Sequence, residues 1–436
     1  MWTALGAGLV LHTAICLPSA IAQQPDPALT LEAALIYARQ HSPRLAAKRQ
    51  GVKTEQGAIA VATAEYFPRI TLGAAARISS QPTQTAMGFA TTELAAIPEN
   101  QAFGRGHLNA EIRATIPLYT GGRIGSAVRL AQAQRDLAQI SVRDVERALD
   151  FEVTSTYANL VQLDRDIEAA GESVNALTES RRVVEQMTAE GKMAHVDLLK
   201  VDTRLADIQD TAIEFRNARE IEAGQLNALL GRSIEIPVVV EKILPRASAQ
   251  PSLGQVSALS RTGNVKYQLA EAQVSVAERA VALARSALMP SFSLAVDLLG
   301  QTVDPFTMYS GGITAGVVGS FPVLDLTLTR KTQIARSRAL ERRADLKQAG
   351  LDAAQTARAA YLQVKNSEER IRATEIAIGY AREALRVEQD KQRYGRGIIE
   401  NLLDAQAALL TSEARYYRAL SDYTTATAAV RRETGL

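Results

Sequence analysis

Cysteine and tryptophan are almost missing from this sequence. The single copies, Cys16 and Trp2, both fall in the first 22 residues. From residue 23 onward no intrachain disulfide can form. Aromatics make up only 5% of the chain, and 436 residues hold just 14 prolines and 27 glycines. That leanness suits long helices better than an all-β fold. The net charge is +2, so nothing argues for nucleic-acid binding, which needs a basic face. Beyond the N-terminus no stretch reaches 18 uncharged apolar residues, so no transmembrane helix is expected. Catalytic constellations are also missing. His41, His107 and His195 are the only histidines after residue 22, and no two stand at metal-ligand spacing. There is no G-x-S-x-G and no phosphate-binding glycine loop. The chain reads as a non-enzyme without a cofactor or metal.

What is present begins with an export signal. Leu5 to Leu17 is an apolar run, and Ala20-Ile21-Ala22 offers a small-x-small cleavage site before Gln23. Residues 1–22 are therefore expected to be a signal peptide, although no Lys or Arg precedes the run. A buried N-terminal helix is the alternative. Cys16 as a lipid acceptor is a further one, against which stands the bulky Ile15.

Proline placement then divides the chain. None lies between Pro117 and Pro237, and none follows Pro322. Two regions therefore lack the strongest helix breaker and are rich in good helix formers. Each has one weak point, Glu190-Gly191-Lys192 and Tyr394-Gly395-Arg396-Gly397. Gly191 to Gly395 and Gly231 to Gly435 are both separated by 204 residues, and Pro117 to Pro322 by 205. Landmarks at one offset predict an internal duplication. The first repeat is 23–231, the linker 232–252, and the second repeat 253–436. Each repeat reads as helix, two strands, long helix, helix. The helices are expected over 31–64, 123–189 and 195–230, then 253–288, 327–393 and 398–432. The longest would extend roughly 100 Å and need lateral partners. Leu402, Leu409, Tyr416 and Tyr423 recur at seven, as do Val201, Ile208 and Phe215, which is coiled-coil spacing.

The β regions alternate cleanly. Ile70, Leu72, Ala74, Ala76 and Ile78 share one face, and Arg69, Thr71, Gly73, Ala75 and Arg77 the other. Leu108, Ala110, Ile112, Ala114, Ile116 and Leu118 oppose His107, Asn109, Glu111, Arg113 and Thr115. Phe292, Leu294, Val296 and Leu298 form a third apolar row, and Ile313, Ala315, Val317, Gly319 and Phe321 a fourth. Such rows match transmembrane barrel strands, with Arg69, Arg77, Glu111 and Arg113 on a wet lumen side. An open sheet edge is not tolerated in lipid, so four strands demand that several protomers share one barrel. The strand links are expected over 79–106 and 302–311. A soluble sheet with one face on a core is the competing reading.

Several segments, in the same order in both halves, resemble the TolC family of outer-membrane factors. They are Ile116-Pro117-Leu118-Tyr119-Thr120-Gly121-Gly122-Arg123, Ala64-Glu65-Tyr66-Phe67-Pro68, Ala287-Leu288-Met289-Pro290-Ser291-Phe292, and Gly395 through Leu402-Leu403-Asp404-Ala405-Gln406. Asp325-Leu326-Thr327 departs by lacking the double glycine. The resemblance implies a mainly α protomer with a membrane β-barrel portion. Three copies would build a 12-stranded barrel in the outer membrane and a helical tunnel across the periplasm. It also implies a passive exit duct for efflux or type I secretion, served by a periplasmic adaptor and an inner-membrane pump of RND or ABC type. Under the resemblance the turns at Gly191, Gly395 and Gly397 form the periplasmic tip that meets the adaptor. Asp197, Lys200, Asn401 and Asp404 then line the gate. The family carries acids at such places; Asp197 and Asp404 fit, Lys200 and Asn401 depart, and Glu400 offers a further carboxylate. Cargo stays open. The alternative is a structural periplasmic coiled-coil protein with a soluble β domain.

Overall fold

The computed structural model describes residues 28–84, 103–244, 251–303, 308–394 and 396–435. The expected signal segment with Cys16, and Gly395, lie outside the described residues. The chain order is α1 (Leu31–His41), α2 (Pro43–Ala64), β1 (Arg69–Gln84), β2 (Phe103–Tyr119), α3 (Arg123–Ala189), α4 (His195–Leu230), α5 (Leu253–Thr262), α6 (Val265–Ser286), β3 (Ser291–Val303), β4 (Met308–Ser320), α7 (Leu326–Arg393) and α8 (Ile399–Thr434).

The long helices keep their expected bounds to within a residue or two. α3 has 67 residues and α7 has 68, each roughly 100 Å long. The expected helix over 31–64 is instead two. Thr30 caps α1 by accepting the Ala33 amide at 3.1 Å, but Pro43 ends the run. Proline lacks an amide hydrogen and drives its predecessor into extended backbone, and Ser42 sits at φ −62°, ψ 119°. The helix expected over 253–288 also divides, at Gly263-Asn264. There the Asn264 side chain accepts the Tyr267 amide at 3.0 Å and starts a new helix.

α4 ends on Gly231 and α8 on Gly435, both left-handed. Gly231 abuts the His41 carbonyl at the α1–α2 break, and the Thr434 carbonyl abuts Gly263 at the α5–α6 break. Each long hairpin thus returns to a break in a shorter helical rod. Three apolar clusters hold the body. One centres on Tyr157, Leu160 and Leu226, a second on Leu177, Val184 and Leu198 beside Leu402, and a third on Val256, Val364 and Tyr423. In the first, the Tyr157 hydroxyl donates to the Leu29 and Glu241 carbonyls at 2.9 and 3.1 Å, pinning an extended strap to α3.

The sheet is antiparallel throughout, in the order β1-β2-β3-β4. The strands run further than the alternation suggested, to Gln84 and Val303, and resume at Phe103 and Met308. Among the described residues no helix is long and apolar enough to cross a membrane.

The two strand-to-helix passages differ. Gly121 and Gly122 are both left-handed before α3. Before α7 the Asp325 carboxylate instead caps the helix, accepting the Thr327 and Leu328 amides at 2.8 and 3.1 Å.

Candidate functional site at the two ends of the molecule

Register decides which side chains share a face of the sheet. Leu72 pairs Ile112, Ile112 pairs Leu298, and Leu298 pairs Ile313. This row is apolar and open: Leu72 is 76% and Ile313 76% exposed. One residue along, Thr71, Arg113, Asp297 and Thr314 form the opposite row. Here Arg113 bridges Glu111 at 2.5 Å and Asp297 at 2.6 Å, and Glu111 is only 7% exposed. A sheet in water does the reverse, burying its apolar side.

Arg113 and Glu111 are therefore brought together as the alternation suggested. Arg69 pairs along the same face with Thr115 and joins no ion pair among the described residues. The side chain of Arg77 lies outside the described residues. Asp297 is the member that sequence reading missed. Its signal was present: it stands between Val296 and Leu298, on the face opposite the apolar row of β3.

At the far end, α3 turns into α4 through Gly191, whose φ of 68° suits glycine best. The Lys192 amide reaches back to the Met187 carbonyl at 2.8 Å and closes the turn. The second turn needs glycine for a different reason. A Cβ on Gly397 would come within 2.8 Å of the Gln392 backbone, so only a bare backbone passes there. Beneath both turns Leu198, Val201, Leu402, Leu403 and Ile399 pack into one cluster with Leu177 and Val184. The two helical hairpins are thereby held side by side.

On this cluster sits an ionic link between the hairpins. Lys200 Nζ donates to Glu400 Oε1 at 2.8 Å and lies 3.7 Å from Asp197 Oδ1. The hydrogen bond raises the Lys200 pKa and lowers that of Glu400. Asn401 and Asp404 are exposed, and Lys200 passes them by for Glu400. The four expected residues thus divide: Asp197 and Lys200 join Glu400, while Asn401 and Asp404 face water without that contact. No group of three or more His, Cys, Asp or Glu that could hold a metal exists among the described residues.

No curated protein sequence matches the chain. Solved structures that share its fold include three outer membrane proteins. The CmeC outer membrane channel of Campylobacter jejuni superposes with a TM-score of 0.80 at 13% identity, covering 93% of this chain and 85% of that one. The outer membrane protein VceC of Vibrio cholerae gives 0.74 at 17% identity, covering 93% and 96%. The open state of the Neisseria gonorrhoeae MtrE outer membrane channel gives 0.75 at 17% identity, covering 93% and 88%. The family model described as outer membrane efflux protein matches residues 35–232 and 258–436. The chain belongs to the outer membrane efflux protein family.

Proposed function

We propose that this chain is one protomer of a passive outer-membrane exit duct, gated at a periplasmic tip. Three copies each lend four strands to one 12-stranded barrel, and their long helices enclose a tunnel through the periplasm. The two halves, 23–231 and 253–436, are internal repeats joined by the linker 232–252. The return of each hairpin to a break in its shorter rod supports this reading. Of the strand links expected over 79–106 and 302–311, residues 85–102 and 304–307 lie outside the described residues.

The observation that carries the reading is the inverted sheet. A face of Leu72, Ile112, Leu298 and Ile313 left open, with Glu111, Arg113 and Asp297 sheltered behind it, suits lipid outside and water inside. An isolated four-stranded sheet leaves two open edges, and lipid does not satisfy them. Sharing a barrel does.

At the tip, Asp197, Lys200, Asn401 and Asp404 surround the constriction. Lys200 is neutralised by Glu400, which leaves Asp404 as the free acid of the ring. Gly191, Gly395 and Gly397 shape the turns that meet a periplasmic adaptor. Driving energy comes from an inner-membrane pump of RND or ABC type, in a tripartite efflux or type I secretion assembly. Single-channel recording in planar bilayers tests the gate. Asp404→Ala should lower cation selectivity and change conductance; if both stay as in the unmodified protein, the assignment fails.

A further inference from the structure

The two helix breaks differ in how they handle arginine. At the α1–α2 break, Arg39 is held by Asp150 at 2.6 Å and Arg44 by Glu152 at 3.1 Å. Both cations are neutralised on α3. At the α5–α6 break, Arg143 of α3 and Arg261 in the last turn of α5 form no ion pair among the described residues. Both are exposed and line a groove of about 630 Å³ with Ile140, Tyr267, Gln268 and Glu271. Arg147, one turn along α3, donates to the Gly263 carbonyl at 2.5 Å beside them. Glu271 is the one carboxylate on the groove wall, so positive charge is in excess.

Gln268 Nε2 donates to the Thr262 carbonyl at 2.7 Å, which fixes the groove wall beside Arg261. Tyr267 and Ile140 supply apolar wall. Arginine and tyrosine around a partly apolar floor are the composition of protein-interface centres. Under the barrel reading, the α6 residues that line the groove, Tyr267 to Ser275, lie roughly 17–29 Å from the sheet end of that helix at Ser286, away from the lipid headgroups.

We propose that this groove docks an acidic segment of a partner polypeptide, with its carboxylates on Arg143 and Arg261 and its apolar atoms against Tyr267 and Ile140. The probe is poly-L-glutamate, its binding to the full-length protein in detergent followed by biolayer interferometry. The double variant Arg143→Gln/Arg261→Gln should weaken binding by at least about tenfold. Arg143→Lys/Arg261→Lys should recover most of it. Lys48→Gln/Lys53→Gln on α2 makes the same change in net charge and should stay within about twofold of the unmodified protein. Equal loss in that control, or no binding by the unmodified protein, overturns the site. Equally tight, arginine-dependent binding of polygalacturonate, a polymer of sugar acids, overturns the polypeptide assignment.

Discussion

The sheet and the helical tip treat charge in opposite ways. In the sheet the ion pairs of Arg113 are sheltered and the leucines and isoleucines stand open. At the tip Leu198, Leu402 and Leu403 are buried while Lys200, Glu400 and Asp404 face water. The difference is what the proposed duct requires of its two ends, an apolar face for lipid at the strands and a polar one for water at the turns.

The largest effect should come from breaking the sheet's side of this contrast. Leu72→Arg places a charge on the open apolar row and should cost about 2–4 kcal/mol of bilayer insertion. Thr314→Arg, beside Asp297 on the other row, should insert nearly normally. Urea titration of refolding into phospholipid vesicles measures both, and equal penalties would erase the distinction between faces.

The helical body also shelters a carboxylate from water. Asp166 on α3 is 3% exposed, accepts from Gln162 at 3.2 Å, and leaves Oδ1 without a partner. Burial pushes its pKa from 3.8 up to about 6, against the hydrogen bond of Gln162 and the charge of Arg418. The folded state therefore holds the proton more tightly than the unfolded one. The stabilisation is complete below about pH 4 and is lost as pH rises through 6, roughly 3 kcal/mol in all. Asp166→Asn should remove that slope from denaturant-derived stabilities between pH 4 and 7. An unchanged slope would show the carboxylate to be solvated.

A smaller loss is expected where α3 holds the strap that precedes α1. Tyr157→Phe leaves the Glu241 carbonyl without its donor, while the Leu29 carbonyl keeps the Glu241 amide, and should cost about 1–3 kcal/mol in chemical denaturation. The smallest effect on stability belongs to the exposed tip. Lys200→Glu should leave the thermal midpoint unchanged and raise cation selectivity in single-channel recording, because it restores an acid to the ring.

Much of this was legible in the sequence. The bounds of α3 and α4 follow from Gly122, Gly191 and Gly231, since a proline-free run of helix formers continues until glycine supplies a turn. The faces of the strands follow from strict alternation, which register cannot alter without moving every side chain. Other features were not legible. The breaks at Pro43 and Gly263-Asn264 were hidden because helical composition continues on both sides of each. The Lys200–Glu400 link joins residues 200 apart in sequence, a proximity set by how the hairpins pack. Asp297 was overlooked because β3 was read only for its apolar row, and Asp297 stands on the opposite face.

The central claim is the inverted sheet, and thiol accessibility along β2 tests it most directly. Cys16 is the only cysteine, so single cysteines can be placed on a Cys16→Ser background at Ile112, Arg113, Ala114 and Thr115. Channels in planar bilayers are then exposed to a charged, water-soluble thiol reagent while conductance is recorded. Conductance should step down at 113 and 115 and hold steady at 112 and 114. Reaction at all four positions alike, or at 112 and 114 alone, would contradict an apolar face turned to lipid and a charged face turned to the lumen.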